Sequence, residues 1–297
     1  MIIQHNMGSI NATRNKGISE GRMKKSLEKL SSGYRINRAG DDAAGLAISE
    51  GMRAQIRGLD QAMRNVNDGI SLTQTGDGCL TEIHSMLGRL KTLAVQSANG
   101  TYNTIARSNL DLERQELLNE IDRIGENTDF NDIMLFDSPK TIEPIVPPLE
   151  ASKMKADEIS LQIGTHEEEV LNVPRYKVNS STLLLGENMD PNSAIKSWTD
   201  FSTQEAANAS IPRIEEAIEA IADVRAEFGA AHNHLEHTYS NLSVTSENVT
   251  TSESRIRDTD MADEFTTFTR DNIMFQASNS MVAQANAVPQ MILNLLQ

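Results

Sequence analysis

Apolar residues recur along the first arm of the chain at alternating steps of four and three: Met52, Ile56, Leu59, Met63, Val66 and Ile70. The alternation resumes in register at Leu80, Ile83, Leu87, Leu90 and Ala94, with polar Thr73 and Asp77 at two intervening seam positions. A step averaging 3.5 residues is a coiled-coil seam, so one long helix is predicted. Asp41-Asp42 ahead of Ala43-Ala44 offers an N-cap and negative charge at the positive helix end. Asn99-Gly100 reads as the stop, after ~84 Å of helix at ~1.5 Å per residue. Gly69, Gly76 and Gly78 each cost ~1 kcal/mol relative to alanine, yet the seam keeps its register across them. A second helix near 104–127, carrying Leu110, Leu117, Ile121 and Ile124, should pack back antiparallel.

A second arm repeats the pattern. Ser202-Thr203-Gln204-Glu205 is a capping-box sequence. It precedes Ile214, Ile218, Ile221, Val224, Phe228, Ala231, Leu235, Tyr239 and Leu242 at steps of three and four. Pro212 marks a kink or a restart. Three such seams must cover one another, so the two arms form one bundle.

Proline separates the arms: six of the eight fall between Pro139 and Pro191, which makes the middle a non-helical insert. Within it, Glu158 to Ile163 alternates as a half-buried strand does. Leu171, Val173, Tyr176, Val178 and Leu183–Leu185 suggest further short strands. The expected fold is mainly α: a long-helix coiled-coil bundle formed by N- and C-terminal arms, with a small β-rich central insert. The expected division is 1–40 plus 255–297 as a terminal paired-helix polymerisation domain, 41–136 plus 202–254 as the bundle, and 137–201 as an outer insert.

The ends carry a different signal. Asn272 to Gln297 holds no charged side chain, and Met274, Ala277, Met281, Ala285, Val288, Ile292 and Leu295 form one apolar stripe. A membrane-surface helix would carry Lys or Arg on its polar face; here there is none, so the stripe is expected to be buried against protein. Met274, Met281, Ala285, Val288, Ile292 and Leu295 are the predicted polymerisation interface. The first 40 residues hold eight basic side chains against Glu20 and Glu28, whereas 253–271 hold six acidic against three basic. That imbalance favours pairing the two ends, although single exposed ion pairs contribute little. Alone, such ends bury too little apolar surface to offset ordering entropy.

Composition narrows the function. A net charge of −15 repels phosphate backbones, so nucleic acid is not an expected partner. Aromatics at 4% suit narrow helix seams better than a thick core. The start of the chain lacks the features of a cleaved signal, and no 18-residue apolar run is present. Composition alone would therefore place the chain in the cytoplasm, with no membrane partner. The single cysteine, Cys79, reads as a small packing residue.

Leu30 to Ile48 (LSSGYRINRAGDDAAGLAI) closely resembles the amino-terminal signature of the bacterial flagellins, extended by Arg64–Ser71 and Leu93–Asn99. Ser254–Asp260 and Gln284–Gln290 resemble the matching carboxyl-terminal blocks. The similarity covers about residues 1–136 and 205–297. It implies a structural filament subunit exported unfolded by the flagellar type III apparatus without a cleaved signal, which reverses the cytoplasmic expectation. Implied partners are further copies of the chain, an export chaperone at the C-terminal helix, hook-associated and cap proteins, and a host Toll-like receptor. By resemblance the receptor patch is Arg89, Leu93 and Glu113, with Leu93 expected on the surface. A hook–filament junction protein, which shares the end helices, is the alternative.

No enzyme, cofactor or metal is expected. His166-Glu167-Glu168-Glu169-Val170 lacks the second histidine that a zinc-protease helix needs four residues after the first. His232, His234 and His237 read as a solvated surface cluster with incidental metal affinity rather than a site, and Glu236 points to a different side of the helix from its neighbour His237.

Overall fold

The computed structural model describes residues 6–136, 154–183 and 199–295. Its elements in chain order are α1 (Met7–Ser32), α2 (Ala43–Ala98), α3 (Thr104–Asn127), β1 (Asp129–Phe130), β2 (Ile133–Met134), β3 (Lys155–Gln162), β4 (Val170–Tyr176), α4 (Gln204–Arg257) and α5 (Met261–Leu295). Two compact units emerge, one from residues up to Arg57 with those from Thr245, the other Gly58–Val244. The divisions fall inside α2 and α4, whereas 40/41 and 254/255 were the expected limits.

Helix α2 is continuous, as its seam requires. The Gly45 N–H donates to Asp42 Oδ1 at 2.9 Å, which is the N-cap. Leu59, Val66, Leu80, Ile83, Leu87, Leu90 and Ala94 are buried. The polar seam positions are satisfied: Thr73 donates to the Ile70 carbonyl, and Asp77 pairs with Arg225 at 2.8 Å. Two of the three glycines are close-approach sites. A Cβ at Gly69 would stand 2.6 Å from the Leu161 side chain, and one at Gly76 2.8 Å from the Phe228 ring. The helical cost of glycine is thus offset by packing that alanine would obstruct. Gly78 faces open space, and nothing in the structure explains it.

Asn103 caps α3 by accepting the Ala106 N–H at 2.8 Å. The cap of α4 lies one residue later than the capping box suggested: Thr203 Oγ1, not Ser202, accepts from the Ala206 N–H at 3.2 Å. Pro212 sits inside α4 without ending it. Ile214, Ile221, Val224, Phe228 and Leu235 are buried as the periodicity demands, and Tyr239 is exposed.

Strands β3 and β4 pair antiparallel, with Ile159 opposite Val173 and Leu161 opposite Leu171. The expected strand at Glu158–Ile163 is present; Val178 and Leu183 are buried outside any strand, and Leu184 and Leu185 lie outside the described residues. The hairpin shares the core of the helices rather than standing apart. Met154, Val173, Tyr176, Val178 and Leu183 are buried in one cluster with Leu87, Leu118, Ile121 and Ile221. The contact is so close at Gly125 that a Cβ there would fall 1.9 Å from the Val178 carbonyl oxygen.

Candidate functional site

Helices α1 and α5 lie side by side in the first unit. Asn6 caps α1 by accepting the Ser9 N–H, and its Nδ2 donates to the Ala285 carbonyl at 2.8 Å. Ser9 Oγ donates to Asn286 Oδ1 at 2.6 Å, the Lys16 ammonium stands 5.8 Å from the centre of the Phe275 ring, and Lys29 pairs with Glu264 at 3.4 Å. These partners run antiparallel, so the ends pair as their charges suggested.

The residues turned inward in this pair mix small and polar side chains with several large apolar ones. Along α1 the covered positions include Ser9, Ala12, Lys16, Ser19, Met23, Ser26 and Leu30; along α5 they include Phe268, Asp271, Phe275, Ser278, Val282, Ala285 and Pro289, again in steps of three and four. Other large apolar side chains face out. On α1 these are Met7, Ile10, Ile18 and Leu27; on α5 they are Phe265, Ile273, Met274, Met281, Val288 and Met291. Met274, Met281 and Val288 follow a seven-residue step, and Met281 is 63% exposed. The pair thus buries a seam of mixed character and leaves a second set of large methionine, isoleucine, leucine and phenylalanine side chains exposed along both helices.

The predicted interface residues therefore divide. Met274, Met281 and Val288 form the outward stripe; Ala285 is half-buried against α1; the side chains of Ile292 and Leu295 lie outside the described residues. Sequence reasoning missed the outward set on α1. Its signal was available, since Met7, Ile10, Ile18 and Leu27 alternate with the serine and alanine positions.

A clamp joins the α1–α2 turn to the α4–α5 turn. Gly33 ends α1 in the left-handed region (φ 76°) and its N–H donates to the Lys29 carbonyl at 2.8 Å. The Thr259 N–H donates to the Gly33 carbonyl at 3.0 Å, and the Arg35 N–H to the Arg257 carbonyl at 2.7 Å. The Arg257 guanidinium covers the Tyr34 ring at 4.9 Å and reaches Glu50 at 2.5 Å, which holds the Glu50 carboxyl below its usual range.

The receptor residues predicted by resemblance are split by the structure. Arg89 Nε and Glu113 Oε1 are 2.7 Å apart, both exposed. Leu93 is fully buried, which corrects its expected place on the surface. Helix α2 is bracketed by Glu113 of α3 at Arg89 and by Glu215 of α4 at Lys91, so its covered arc is wider than a two-helix seam and takes in Leu93.

Among the described residues no group of three or more His, Cys, Asp or Glu side chains could hold a metal ion. His166 to Glu169 form the β3–β4 turn, where the His166 N–H donates to the Glu169 carboxylate at 3.0 Å. Cys79 packs beside the core, its Sγ 3.6 Å from the Thr128 hydroxyl oxygen. No described helix is long and apolar enough to cross a membrane.

Comparison with known proteins agrees with this architecture. The model of the bacterial flagellin N-terminal helical region matches residues 3–141, and that of the C-terminal helical region matches 211–296. The flagellin of Halalkalibacterium halodurans is 46% identical over 297 residues, covering all of both chains. The flagellar filament 41 kDa core protein of Borreliella burgdorferi is 36% identical, again over the whole of both. A putative flagellar hook-associated protein from Vibrio parahaemolyticus shares the fold, with a TM-score of 0.55 over 73% of this chain and all of that one at 14% identity. The chain belongs to the bacterial flagellin family and is a structural filament protein, not an enzyme.

Proposed function

We propose that the chain polymerises through the outward apolar faces of α1 and α5, and that residues 1–40 with 255–297 are the polymerising part. The large apolar side chains left exposed along both helices carry the reading. Met7, Ile10, Ile18, Met274 and Met281 are each about half exposed, and each leaves roughly 1 kcal/mol of burial free energy that neighbouring copies can recover. Seeded polymerisation of purified subunits followed by electron microscopy tests this: long filaments are expected. Chains that only cap the seeds would indicate a junction protein and overturn it.

The same reading assigns the remaining partners. Before assembly the apolar stripe of α5 is the surface that an export chaperone would cover, and secretion through the flagellar apparatus delivers the chain to the hook-associated and cap proteins. The host receptor contact rests on Arg89 and Glu113, whose exposed ion pair fixes the planar guanidinium on the outer face of α2 and α3. Leu93 supports that face from beneath. Arg89→Ala is expected to weaken monomer binding to the Toll-like receptor about tenfold or more, the scale of an interface anchor. Surface-plasmon measurement of equal affinities for the two proteins would count against the assignment.

A further inference from the structure

Helix α4 carries three histidines, and one of them has a setting the others lack. His234 and His237 are exposed, whereas the His232 side chain is 25% exposed and lies against α2. Its Nδ1 is 3.5 Å from Thr73 Oγ1, and Thr73 is buried. The Thr73 hydroxyl proton is already committed to the Ile70 carbonyl at 2.8 Å. Toward His232 the threonine oxygen can therefore only accept, so Nδ1 is the nitrogen that carries the proton. In that tautomer the Nε2 lone pair faces Glu236, one helical turn on, with Oε1 at 3.5 Å. A lone pair facing a carboxylate is repulsive, and either a proton on Nε2 or a cation held between the two atoms relieves it.

We propose that His232 Nε2 and Glu236 Oε1 form a two-point chelate for a divalent transition cation of the zinc class, with Thr73 as the positioning residue for the imidazole. The spacing fits. Metal–nitrogen and metal–oxygen bonds of about 2.0–2.2 Å at a tetrahedral angle place their donor atoms about 3.4 Å apart. Imidazole with carboxylate suits zinc, cobalt or nickel and does not suit calcium or magnesium. A ligating histidine generally donates its other ring N–H to an oxygen, which is the part Thr73 plays. Glu236 is 61% exposed, so water completes the coordination from the solvent side. A filled site ties a turn of α4 to the ring that rests on α2.

The test is zinc titration of the metal-stripped full-length monomer by calorimetry, with cobalt absorption reporting tetrahedral geometry. One site is expected. His232→Gln and Glu236→Gln should each lower zinc affinity at least tenfold, and Thr73→Val about tenfold, with Thr73→Ser restoring it. Circular dichroism verifies that each variant is folded, and His234→Gln and His237→Gln should leave the affinity unchanged. Absence of zinc binding by the wild type overturns the proposal and assigns the geometry to an imidazolium–carboxylate pair. Binding that survives His232→Gln, or that follows His234 or His237, overturns it equally.

Discussion

Subunits carrying Met281→Glu are expected to remain helical monomers at concentrations where the wild type forms filaments. Met281 is exposed in the single chain, so the substitution removes no packing from the α1–α5 pair. The penalty arises only on assembly, when a neighbouring copy would cover a carboxylate with no partner. Burying an unpaired charge costs at least about 3 kcal/mol, so the critical concentration should rise roughly a hundredfold or more. Met274→Glu, seven residues earlier on the same stripe, should repeat the effect. Ala285→Glu is the contrasting variant. Its side chain lies half-buried against α1, so helicity should fall in the monomer itself. Sedimentation and far-ultraviolet circular dichroism separate the two outcomes, and normal filaments from Met281→Glu would remove α5 from the interface.

Replacing residues 141–198 by a short flexible linker is expected to unfold the central unit. From sequence the insert lies outside both helical seams, which suggests that such a replacement would be harmless. The buried positions of Met154, Val173, Tyr176, Val178 and Leu183 reverse that expectation. At about 1.5–3 kcal/mol for each fully buried side chain, their loss amounts to several kcal/mol at the least, comparable with the 5–15 kcal/mol that holds a typical domain together. Gly125→Ala should reproduce part of the effect without deleting anything. Its Cβ meets a backbone oxygen rather than a yielding side chain, and the resulting shift should cost about 1–3 kcal/mol. Urea denaturation measures both, and an unchanged midpoint for the linker variant would return the insert to the status of an appendage.

The long helices were legible because apolar spacing constrains them at every turn, and in α2 the register on either side of Thr73 and Asp77 agreed. What the pattern does not state is how many neighbours a helix has. Leu93 falls one position before Ala94 in the seam, and its burial depends on α3 and α4 both flanking α2, a tertiary fact with no local mark. The glycines show the same limitation. Gly69 and Gly76 register in a sequence as lost helix propensity, whereas their close approaches to Leu161 and Phe228 involve residues far along the chain. The hairpin was readable from alternation at Glu158–Ile163, but Val173 and Tyr176 look alike whether they cover a helix or only each other. His232 and Glu236 share an ordinary four-residue spacing, and what sets His232 apart from His234 and His237 is Thr73, on another helix.

The pairing of α1 with α5 also sets a sequence of events in time. Its hydrogen bonds and ion pair join residues 235 to 279 positions apart, whereas the β3–β4 contacts and the Asp77–Arg225 pair close shorter loops. Contacts of such separation are slow to form, because the entropy of closing the chain is lost before any contact repays it. Folding of 58–244 is therefore expected to precede the meeting of the ends. The interval in which the centre is formed and the ends are free is built into the order of the sequence. During that interval an end can exchange one helical partner for another without the rest of the subunit unfolding.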